Sequence, residues 1–417
     1  MIVETLAVGT ELLLGQIVNS NAAEIGMRLA DAGLDHYHQT VVGDNQDRLV
    51  AAIRRAADRA DAVIITGGIG PTQDDITREA LCEAAGVPMV FDEGYAGRLR
   101  EFWERRGRSM PEANLRQAEH PEGAVLIMNP RGTAPGLRLR VGNAWAFALP
   151  GVPPEMLPML ERDVIPFLVN EAGGDAGVLV SRVIRSWGEA ESKVAEILAD
   201  LFEESTNPTV AFLASSGEIK VRLTARAADE EAAARLIDPV EQVVRERLGP
   251  RVFAVGTTPT EEILLGLAAE RGWTIATAES VTGGLISARL TSVPGASATY
   301  LGSIVAYGVE AKAQILGVDR AAMERDGMVS EATALAMASG AAARLGADVV
   351  IATTGSAGPE PLEQPPGTVV VAVQTPEGAR ARTLRLPASR ERVRTFTTTS
   401  GLHLARLAIE GTWWGTG

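Results

Sequence analysis

The chain opens with apolar runs that alternate with stretches of helical periodicity. An apolar run over Ile2–Val8 predicts a strand, and a helix is expected to begin at Asn19 or Ser20. The run DAVIITGG ends in glycines, which is typical of a buried parallel strand, and a helix is predicted after it over residues 76–85. Repeated strand–helix units of this kind predict a parallel sheet covered by helices within residues 1–170.

The pattern of apolar positions changes after residue 170. Residues 171–177 are polar and rich in glycine, as expected of a linker. The segment that follows reads β-α-β-β-α, with a hairpin turn at Ser216-Gly217, and predicts a small α+β domain over residues 171–256. Strand–helix alternation returns over residues 257–417. The predicted fold class is therefore α/β, with two strand–helix sheet domains flanking a small α+β domain.

Composition and charge exclude several classes of protein. Of the 417 residues, 46% are hydrophobic and 22% are charged, which excludes a largely disordered chain. The net charge of −14 disfavours nucleic-acid binding, which requires neutralisation of phosphates. The single cysteine, Cys82, excludes a disulfide framework and cysteine-based metal sites and suits a reducing cytoplasm. With neither a secretory signal nor a run of about 18 apolar residues, we expect a cytoplasmic protein without a membrane partner.

The sequence TGGIGPTQDDIT, residues 66–77, is the first candidate site. A strand ends, a glycine loop follows and a helix begins, so backbone N–H groups can approach an anion closely. Asp74 and Asp75 could hold Mg²⁺ against a phosphate, and Glu11 would join them if its strand is a neighbour. The alternative is a helix cap and a solvated glutamate in a loop that binds nothing. The other candidate ligand-binding residues of this loop are Gly67, Gly68, Gly70 and Thr72.

The sequence ATAESVTGG is the second candidate site. Ser280 lies where a strand turns into a helix and is a candidate nucleophile, with N–H groups around Gly283 and Gly284 as oxyanion donors. The alternative is a serine that caps its helix. None of the four histidines suits the role of base, so a serine–histidine–aspartate triad is not expected. A lysine or tyrosine with a perturbed pKa could serve instead, and Tyr307 and Lys312 follow the next strand. Lys312 would otherwise be a solvated surface lysine.

Two further segments have weaker signals. The run ATTGSAGP ends a buried strand in hydroxyl groups and glycines, which suits contact with an anion or an amide. Arginine is the usual bidentate partner of a phosphate, although most members of a surface cluster are simply solvated. The arginines of the C-terminal cluster are Arg380, Arg382, Arg385, Arg390, Arg392 and Arg394.

Taken together, these motifs resemble the CinA family of competence/damage-inducible proteins along nearly the full chain. The N-terminal motifs are GTELLLGQIVNSN, TVVGDN, TGGIGPTQDDITREA, NPRGTAPG and LPGVPPEM. The C-terminal motifs are AESVTGG, TSVPGAS, VAYGVEAK, VSE, TTGSAGP and PPGTVVVAV. The resemblance implies that the N-terminal part has the molybdopterin-binding fold and that the middle part is KH-like. The chain departs from the family pattern at Val281, Met328 and Glu360-Pro361.

The resemblance also implies two activities. The C-terminal domain would hydrolyse nicotinamide mononucleotide to nicotinate mononucleotide and ammonia, without a cofactor. Ser280 would be the nucleophile, Tyr307 and Lys312 the base and proton relay, Thr354 a positioning hydroxyl and Arg394 the phosphate ligand. The N-terminal domain would be an ADP-ribose pyrophosphatase that cleaves ADP-ribose to AMP and ribose 5-phosphate. It would require a divalent metal such as Mg²⁺, with K⁺ as an additional ion, and its metal ligand or ligand-binding aspartate would match Asp75.

Two alternatives to an enzyme remain open at this stage. One is a non-catalytic protein that binds a molybdopterin-like ligand or recruits RecA during competence. The other is an RNA-binding protein that acts through the KH-like domain, whose nearest GXXG match is residues 174–177. Residues 171–256 contain 15 acidic and 10 basic residues, a net charge of −5, so we expect a spacer or dimerisation element rather than a nucleic-acid site. We expect a homodimer.

Overall fold

The structure is a computed structural model, and it describes residues 1–173, 177–386 and 389–413. The chain divides into two compact units. One comprises residues 1–181 and 224–238, and the other comprises residues 182–223 and the described residues from 239 onward. The predicted middle segment is therefore shared between the two units. Of the GXXG match, residues 174–176 lie outside the described part of the chain.

The N-terminal segment forms a six-stranded sheet and a small two-stranded one. The strands are β1 (Ile2–Val8), β2 (Asp35–Val42), β3 (Ala62–Thr66), β4 (Met89–Phe91), β5 (Glu119–Pro121), β6 (Val125–Ile127), β7 (Gly136–Val141) and β8 (Ala144–Leu149). The helices are α1 (Thr10–Leu13), α2 (Ser20–Asp31), α3 (Gln46–Arg59), α4 (Thr77–Ala85), α5 (Glu93–Glu104), α6 (Pro153–Met159) and α7 (Ile165–Glu171), with a 3₁₀ helix at Glu112–Ala118 and a π-helical turn at Leu160–Val164. The large sheet has the order β2-β1-β3-β8-β7-β6, and β4 pairs with β5.

Most local signals in this segment act as predicted. Asn19 caps α2 by accepting a hydrogen bond from the backbone N–H of Ala22, and α4 ends at Gly86 with φ of +70°. Strands β2, β1, β3 and β8 are parallel, as predicted, but β7 and β6 continue the sheet antiparallel. The reason is the two-residue connection Gly142-Asn143 between β7 and β8, since a parallel crossover needs about a dozen residues.

The middle segment forms a four-stranded sheet of order β10-β11-β9-β12. The predicted hairpin is confirmed, with φ of +53° at Ser216 and +90° at Gly217 in its turn. The single helix expected over EAESKVAEILADLFE is instead two short helices, because the fully buried Leu198 leaves helical geometry with φ −113° and ψ 17°. The elements are β9 (Val178–Trp187), α8 (Glu191–Ile197), α9 (Ala199–Glu204), β10 (Thr209–Ser215), β11 (Glu218–Ala227), α10 (Glu230–Leu248), a 3₁₀ helix at Gly249–Arg251 and β12 (Val252–Val255).

The C-terminal segment forms a five-stranded sheet of order β14-β13-β15-β16-β17. The strands are β13 (Ile275–Glu279), β14 (Tyr300–Val305), β15 (Val349–Gly355), β16 (Thr368–Thr375) and β17 (Gly378–Arg385). The helices are α11 (Thr260–Glu270), α12 (Leu285–Thr291), α13 (Val309–Gln314), α14 (Arg320–Asp326), α15 (Glu331–Leu345) and α16 (Arg390–Ile409), with a 3₁₀ helix at Ala296–Ala298. Strands β14, β13 and β15 are parallel, and β16 and β17 extend the sheet antiparallel.

Helices cover both faces of this C-terminal sheet. Apolar residues of α11, α12 and α16 form one buried cluster with the strands, and those of α15 form another on the opposite face. The predicted α/β class is therefore confirmed. Among the described residues, no helix combines the length and apolar character that crossing a bilayer requires.

Strand register fixes where the candidate residues meet. In the C-terminal sheet Glu279 is paired with Thr353, so Ser280 and Thr354 follow at the same edge. In the N-terminal sheet Thr66 is paired with Ala7 and Leu149. The loops that follow β1, β3 and β8 therefore meet at the carboxyl ends of their strands, where open α/β sheets bind ligands.

Candidate active sites

The C-terminal candidate residues surround a cavity of about 340 Å³. It lies beyond the carboxyl ends of β13 and β15, and it is lined by Ser280, by the turn before α13, by residues 354–358 and by the start of α16. Ser280 follows a strand in which every residue is buried, and Ser280 itself is only 7% exposed. Ser280 therefore lines the cavity as a nearly buried residue and not as a surface serine.

Lys312 is the side chain that contacts the Ser280 hydroxyl. Its Nζ lies 3.1 Å from Ser280 Oγ and 3.2 Å from the carbonyl oxygen of Tyr307. The residue is 3% exposed and not a solvated surface lysine. Burial lowers the pKa of Lys312, and the negative charge of Glu363 partly opposes that shift. A lysine held in this way can become neutral and accept a proton from the serine.

Tyr307 lines the same cavity, but its hydroxyl is bonded to Arg390 and not to Lys312. Its hydroxyl accepts a hydrogen bond from Arg390 Nη2 at 2.8 Å, and its side chain is largely exposed. Only its carbonyl oxygen meets Lys312. Lys312 contacts Ser280 directly, and the carbonyl oxygen of Tyr307 accepts a second hydrogen bond from Lys312 Nζ.

The predicted oxyanion donors are already engaged. The N–H of Gly284 donates to Glu279 Oε2 at 2.9 Å, and the N–H of Gly283 donates to the carbonyl oxygen of Ser280 at 3.1 Å. The fully buried Glu279 carboxylate also accepts from the N–H groups of Ile286 and Ser287. These contacts hold the turn between Ser280 and α12, and the N–H groups of Gly283 and Gly284 both have acceptors within the protein. The same contacts remove Glu279 as a free base.

The arginine that lines the cavity is Arg390, whereas the resemblance pointed to Arg394. Arg390 donates to the carbonyl oxygen of Gly358 at 3.0 Å and to Tyr307, across the cavity mouth. Arg394, one helical turn later, donates to the carbonyl oxygen of Thr282 at 3.0 Å and lies beside Gly283. The sequence identified the C-terminal arginine cluster but could not tell which arginine lines the cavity, because Arg390 and Arg394 lie on one helix face.

Residues around the cavity mouth complete the site. Thr354 lines the cavity as predicted and donates its hydroxyl to the carbonyl oxygen of Met328 at 2.8 Å. Glu363 was missed by the sequence analysis. Its Oε2 accepts from the N–H of Met328 at 2.6 Å and of Val329 at 3.3 Å, and this ties the loop that contains Glu360 to the start of α15. The left-handed φ of +56° at Glu363 required a structure to detect.

His403 contacts Glu218 and Trp187 and has no hydrogen bond with Ser280. It is fully buried in α16, stacked on Trp187, and its Nε2 lies 3.0 Å from Glu218 Oε1. Burial lowers the pKa of His403 to about 4, and the hydrogen bond with Glu218 only partly opposes that shift. His403 is not among the residues that line the cavity of Ser280.

The N-terminal candidate residues surround a second cavity, of about 620 Å³. It is lined by the loops that follow β1, β3 and β8, as the register requires. Five carboxylates line it, and none of its described lining residues is basic. The acidic residues are Glu11, Asp44, Asp74, Asp75 and Glu155.

Close packing explains the glycines of the loop after β3. A Cβ atom at Gly67 would lie 2.5 Å from the carbonyl oxygen of Val8, and one at Gly68 would lie 2.3 Å from Thr77 Oγ1. The loop is held from within by Arg78, which is 1% exposed and donates to the carbonyl oxygens of Ile69 at 2.5 Å and Gly70 at 2.6 Å. The absence of a side chain at Gly67 and Gly68 therefore allows the loop to pack closely against Val8 and Thr77.

Asp75 and Thr72 form the local cap that the sequence analysis offered as the alternative. Asp75 Oδ2 accepts from the N–H of Thr72 at 2.8 Å and from its hydroxyl at 2.5 Å. Thr72 is exposed and does not line the cavity. Within the described residues no group of three metal-ligating side chains is assembled, so the predicted set Glu11, Asp74 and Asp75 is not a preformed metal site. The carboxylates still suit Mg²⁺, which binds through one or two of them together with water and substrate phosphates.

Comparison with known proteins finds relatives for each part of the chain. Residues 4–170 match the family described as "Probable molybdopterin binding domain", residues 181–254 the "Damage-inducible protein CinA KH domain" and residues 257–409 the "CinA C-terminal domain". A CinA-like protein of Frankia casuarinae is 48% identical over 417 residues, which cover 98% of this chain and 96% of the relative. A CinA-like protein of Dictyoglomus turgidum is 44% identical over 97% of this chain and 98% of its own length. Among solved structures, CinA of Thermoplasma acidophilum is 33% identical, with a TM-score of 0.37 over 41% of this chain and 98% of that one. The chain belongs to the CinA family.

Proposed function

We propose that the C-terminal site hydrolyses the carboxamide of nicotinamide mononucleotide to nicotinate mononucleotide and ammonia. The observation that carries this proposal is the contact of 3.1 Å between the buried Lys312 Nζ and Ser280 Oγ. A serine beside a lysine of lowered pKa is an activated nucleophile suited to acyl chemistry. The cavity of about 340 Å³ is within the range of small-molecule sites.

The reaction proceeds in two displacements. Neutral Lys312 takes the proton of Ser280 as Oγ bonds to the carboxamide carbon, and the resulting ammonium group lies next to the developing oxyanion. Lys312 then gives the proton to the leaving nitrogen, so that the C–N bond breaks and ammonia departs from an acyl-serine. Water attacks the ester, its proton passes to Lys312, and Ser280 Oγ recovers that proton as the product carboxylate leaves.

The cavity mouth supplies the groups that would bind the nucleotide. Arg390 is the lining cation that can meet the 5′-phosphate, and Thr354 presents a hydroxyl beside the serine. Residues 356–358, Glu360 and Leu362 of the loop that Glu363 joins to Met328 also line the cavity.

Ser280→Ala tests this function. The full-length protein is incubated with nicotinamide mononucleotide, and ammonia and nicotinate mononucleotide are quantified. The variant should lose both products and still bind the substrate in calorimetry. Ser292→Ala, at an exposed serine outside the cavity, serves as the matched control and should be unchanged. Full activity in Ser280→Ala, or binding without turnover in the parent protein, contradicts the proposal, and the latter outcome favours a binding module.

For the N-terminal site we propose metal-dependent cleavage of ADP-ribose to AMP and ribose 5-phosphate. The observation that favours it is the acid-only lining of the cavity, since a diphosphate can enter such a site only together with a cation. Asp75 and one of Asp74 or Glu11 are the residues that would hold Mg²⁺, which would neutralise phosphate charge when bound. K⁺ is proposed as an additional ion.

Asp75→Asn separates this function from the helix cap. Asparagine can still accept the hydrogen bonds of Thr72, so the variant should fold normally. Cleavage of ADP-ribose in the presence of Mg²⁺ should be lost, while ammonia release from nicotinamide mononucleotide stays intact. Retained cleavage would show that Asp75 acts only as a cap, and a parent protein without cleavage at any concentration of Mg²⁺ would end the proposal.

A further inference from the structure

A third cavity, of about 420 Å³, has no part in either proposed activity. It is lined by the β10–β11 hairpin and by helices α12 and α16, and its lining residues all belong to the compact unit that comprises residues 182–223 and the described residues from 239 onward. Its described lining residues differ from those of the two candidate active sites. The volume is within the range of sites that bind small molecules.

Cations dominate the charged groups of this cavity, although the chain has a net charge of −14. The cations are Arg185, Lys220 and Arg289, and Glu218 is the one acidic residue among the described lining residues. The carboxylate of Glu218 is already engaged, because Arg185 Nη2 donates to its Oε2 at 2.5 Å. Arg289 Nη2 likewise donates to Glu261 Oε2 at 2.5 Å. Each of the two arginines therefore has a carboxylate partner.

Lys220 is the cation that these contacts leave without a carboxylate. It lies two residues after Glu218 on β11, so the two side chains project from the same face of the sheet. Lys220 is half-buried, and within the part of the chain that the structure describes its ammonium group has no ion pair or hydrogen bond. Ser215 and Ser216, at the hairpin turn, add exposed hydroxyl groups to the same lining. The cavity therefore combines an unpaired positive charge with hydroxyl donors.

These groups are complementary to a phosphate. Phosphate has more acceptor oxygens than a carboxylate, so it can accept hydrogen bonds from donors that lie on several elements at once. A bare phosphate ion would fill only part of the cavity, and the apolar residues Leu285 and Ala288 line another part of it. We propose that this cavity binds a small phosphate monoester and that Lys220 is a ligand of its phosphate group. The inference depends on neither proposed activity.

The scarcity of lysine makes a direct test possible. Of the 39 lysine and arginine residues only three are lysines, namely Lys193, Lys220 and Lys312, so acetylation can be assigned to each of them by peptide mapping. The full-length protein is treated with an acetylating reagent specific for unprotonated amines, in the presence of EDTA. The reaction is repeated with ribose 5-phosphate, with AMP, with inorganic phosphate and with ribose. Lys193, an exposed lysine that pairs with Glu196 at 3.0 Å, is the internal control.

A bound phosphate ester should protect Lys220, because it keeps the amine protonated and blocks access to it. Acetylation of Lys220 should slow about tenfold at an ester concentration of about ten times its Kd, when about a tenth of the sites are empty. Lys193 should react at the same rate throughout, and ribose should not protect Lys220. In calorimetry with the ester that protects at the lower concentration, Lys220→Met should lose one equivalent of binding, whereas Lys193→Met should bind as the parent does.

Several outcomes would overturn the inference. One is that neither ester slows acetylation of Lys220, or that the esters slow Lys193 equally. Another is that ribose protects as well as ribose 5-phosphate, since the phosphate would then not be recognised. Inorganic phosphate that protects as well as the esters would exclude a role for the organic part of the ligand. Full binding in Lys220→Met would exclude Lys220 as a phosphate ligand.

Discussion

At the scale of single residues, the most informative feature is a lysine buried beside a serine. Desolvation disfavours the ammonium form of Lys312, and its hydrogen-bond partners, Ser280 Oγ and the carbonyl oxygen of Tyr307, are uncharged. The sequence could suggest this pair only by elimination, since Lys312 is the one lysine after residue 260. The contact itself depends on β13 and α13 meeting in space.

Replacing Lys312 by arginine tests whether it acts as a base. Arginine keeps the positive charge but does not become neutral at accessible pH, so Lys312→Arg should lower kcat for deamidation by about a hundredfold or more. Lys312→Met, which removes the charge as well, should be at least as impaired. The measurement is kcat from ammonia release with saturating nicotinamide mononucleotide. Near-parental kcat in either variant would exclude Lys312 as the base.

The two arginines of α16 should differ in kinetics. Arg390 lines the cavity, so Arg390→Ala should raise KM for nicotinamide mononucleotide about tenfold or more, the usual loss for a charged hydrogen bond. Arg394 donates to the carbonyl oxygen of Thr282, two residues after the proposed nucleophile Ser280, so Arg394→Ala should mainly lower kcat. Steady-state kinetics of both variants decide the matter. A KM effect confined to Arg394→Ala would restore the assignment implied by the family resemblance.

At the scale of elements, the loop that precedes β16 contains a carboxylate, Glu363, that influences the pKa of Lys312. Glu363 joins this loop to the N–H groups of Met328 and Val329, and its charge raises the pKa of Lys312 against the effect of burial. The strand pattern of the sequence does not predict this contact, because it depends on a single carboxylate that joins two segments distant in sequence.

Glu363→Gln should shift the pH dependence of deamidation toward lower pH. In the proposed mechanism the reaction requires neutral Lys312, so kcat/KM should rise as pH increases through its pKa. Removing the charge of Glu363 lowers that pKa further, and the rise should begin at lower pH. The amide of glutamine keeps an acceptor for the two N–H groups, which preserves the loop. A pH profile identical to that of the parent would show that Glu363 acts only on loop geometry.

A second polar cluster joins β9, β11, α11 and α16 within one compact unit. Glu218 accepts from Arg185, Thr260 and His403, and all four residues are buried. Despite burial, these hydrogen bonds lower the pKa of Glu218 to about 2, whereas burial lowers that of His403 to about 4. Arg289 and Arg406 also disfavour a charge on His403.

Both shifts make the unit less stable in acid. The unfolded chain binds a proton on the histidine from about pH 6.5 downward, while the native state resists it to about pH 4. The lowered pKa of Glu218 adds a loss of stability from about pH 4.5 toward pH 2. The urea midpoint should therefore fall between pH 7 and pH 4. His403→Gln cannot titrate and can still donate to Glu218, so it should flatten the fall above pH 4.5. An equal slope in parent and variant would contradict the assignment.

Comparison of these elements shows what sequence reasoning can reach. Apolar runs, the Asn19 cap and the Ser216-Gly217 turn are local signals, and they predicted most strands and helices correctly. Burial and tertiary contact decided the rest. The fully buried Leu198 leaves helical geometry and interrupts a predicted helix, and the Gly284 N–H donates to Glu279, a contact across a turn that residue spacing does not reveal.

At the scale of the whole molecule, charge limits the partners that the chain can have. The net charge is −14 over 417 residues, and the middle segment shares this acidic character. A family match to a KH domain would ordinarily suggest RNA binding through a GXXG loop between two helices. In this chain the described helices α8 and α9 meet at Leu198, with no glycine between residues 189 and 208.

We therefore expect no binding of RNA or single-stranded DNA at physiological salt. Affinity for nucleic acid comes largely from cations that displace counterions, and a loop without glycine cannot bring its backbone close to phosphates. The test is fluorescence anisotropy of labelled single strands titrated with the full-length protein, at physiological and at low salt. Anisotropy should stay constant at both salt concentrations, because a negative surface gains nothing when screening is removed. Binding that strengthens steeply as salt is lowered would reveal a local basic surface and contradict this prediction, while salt-insensitive binding would point to base stacking on exposed side chains such as Phe202.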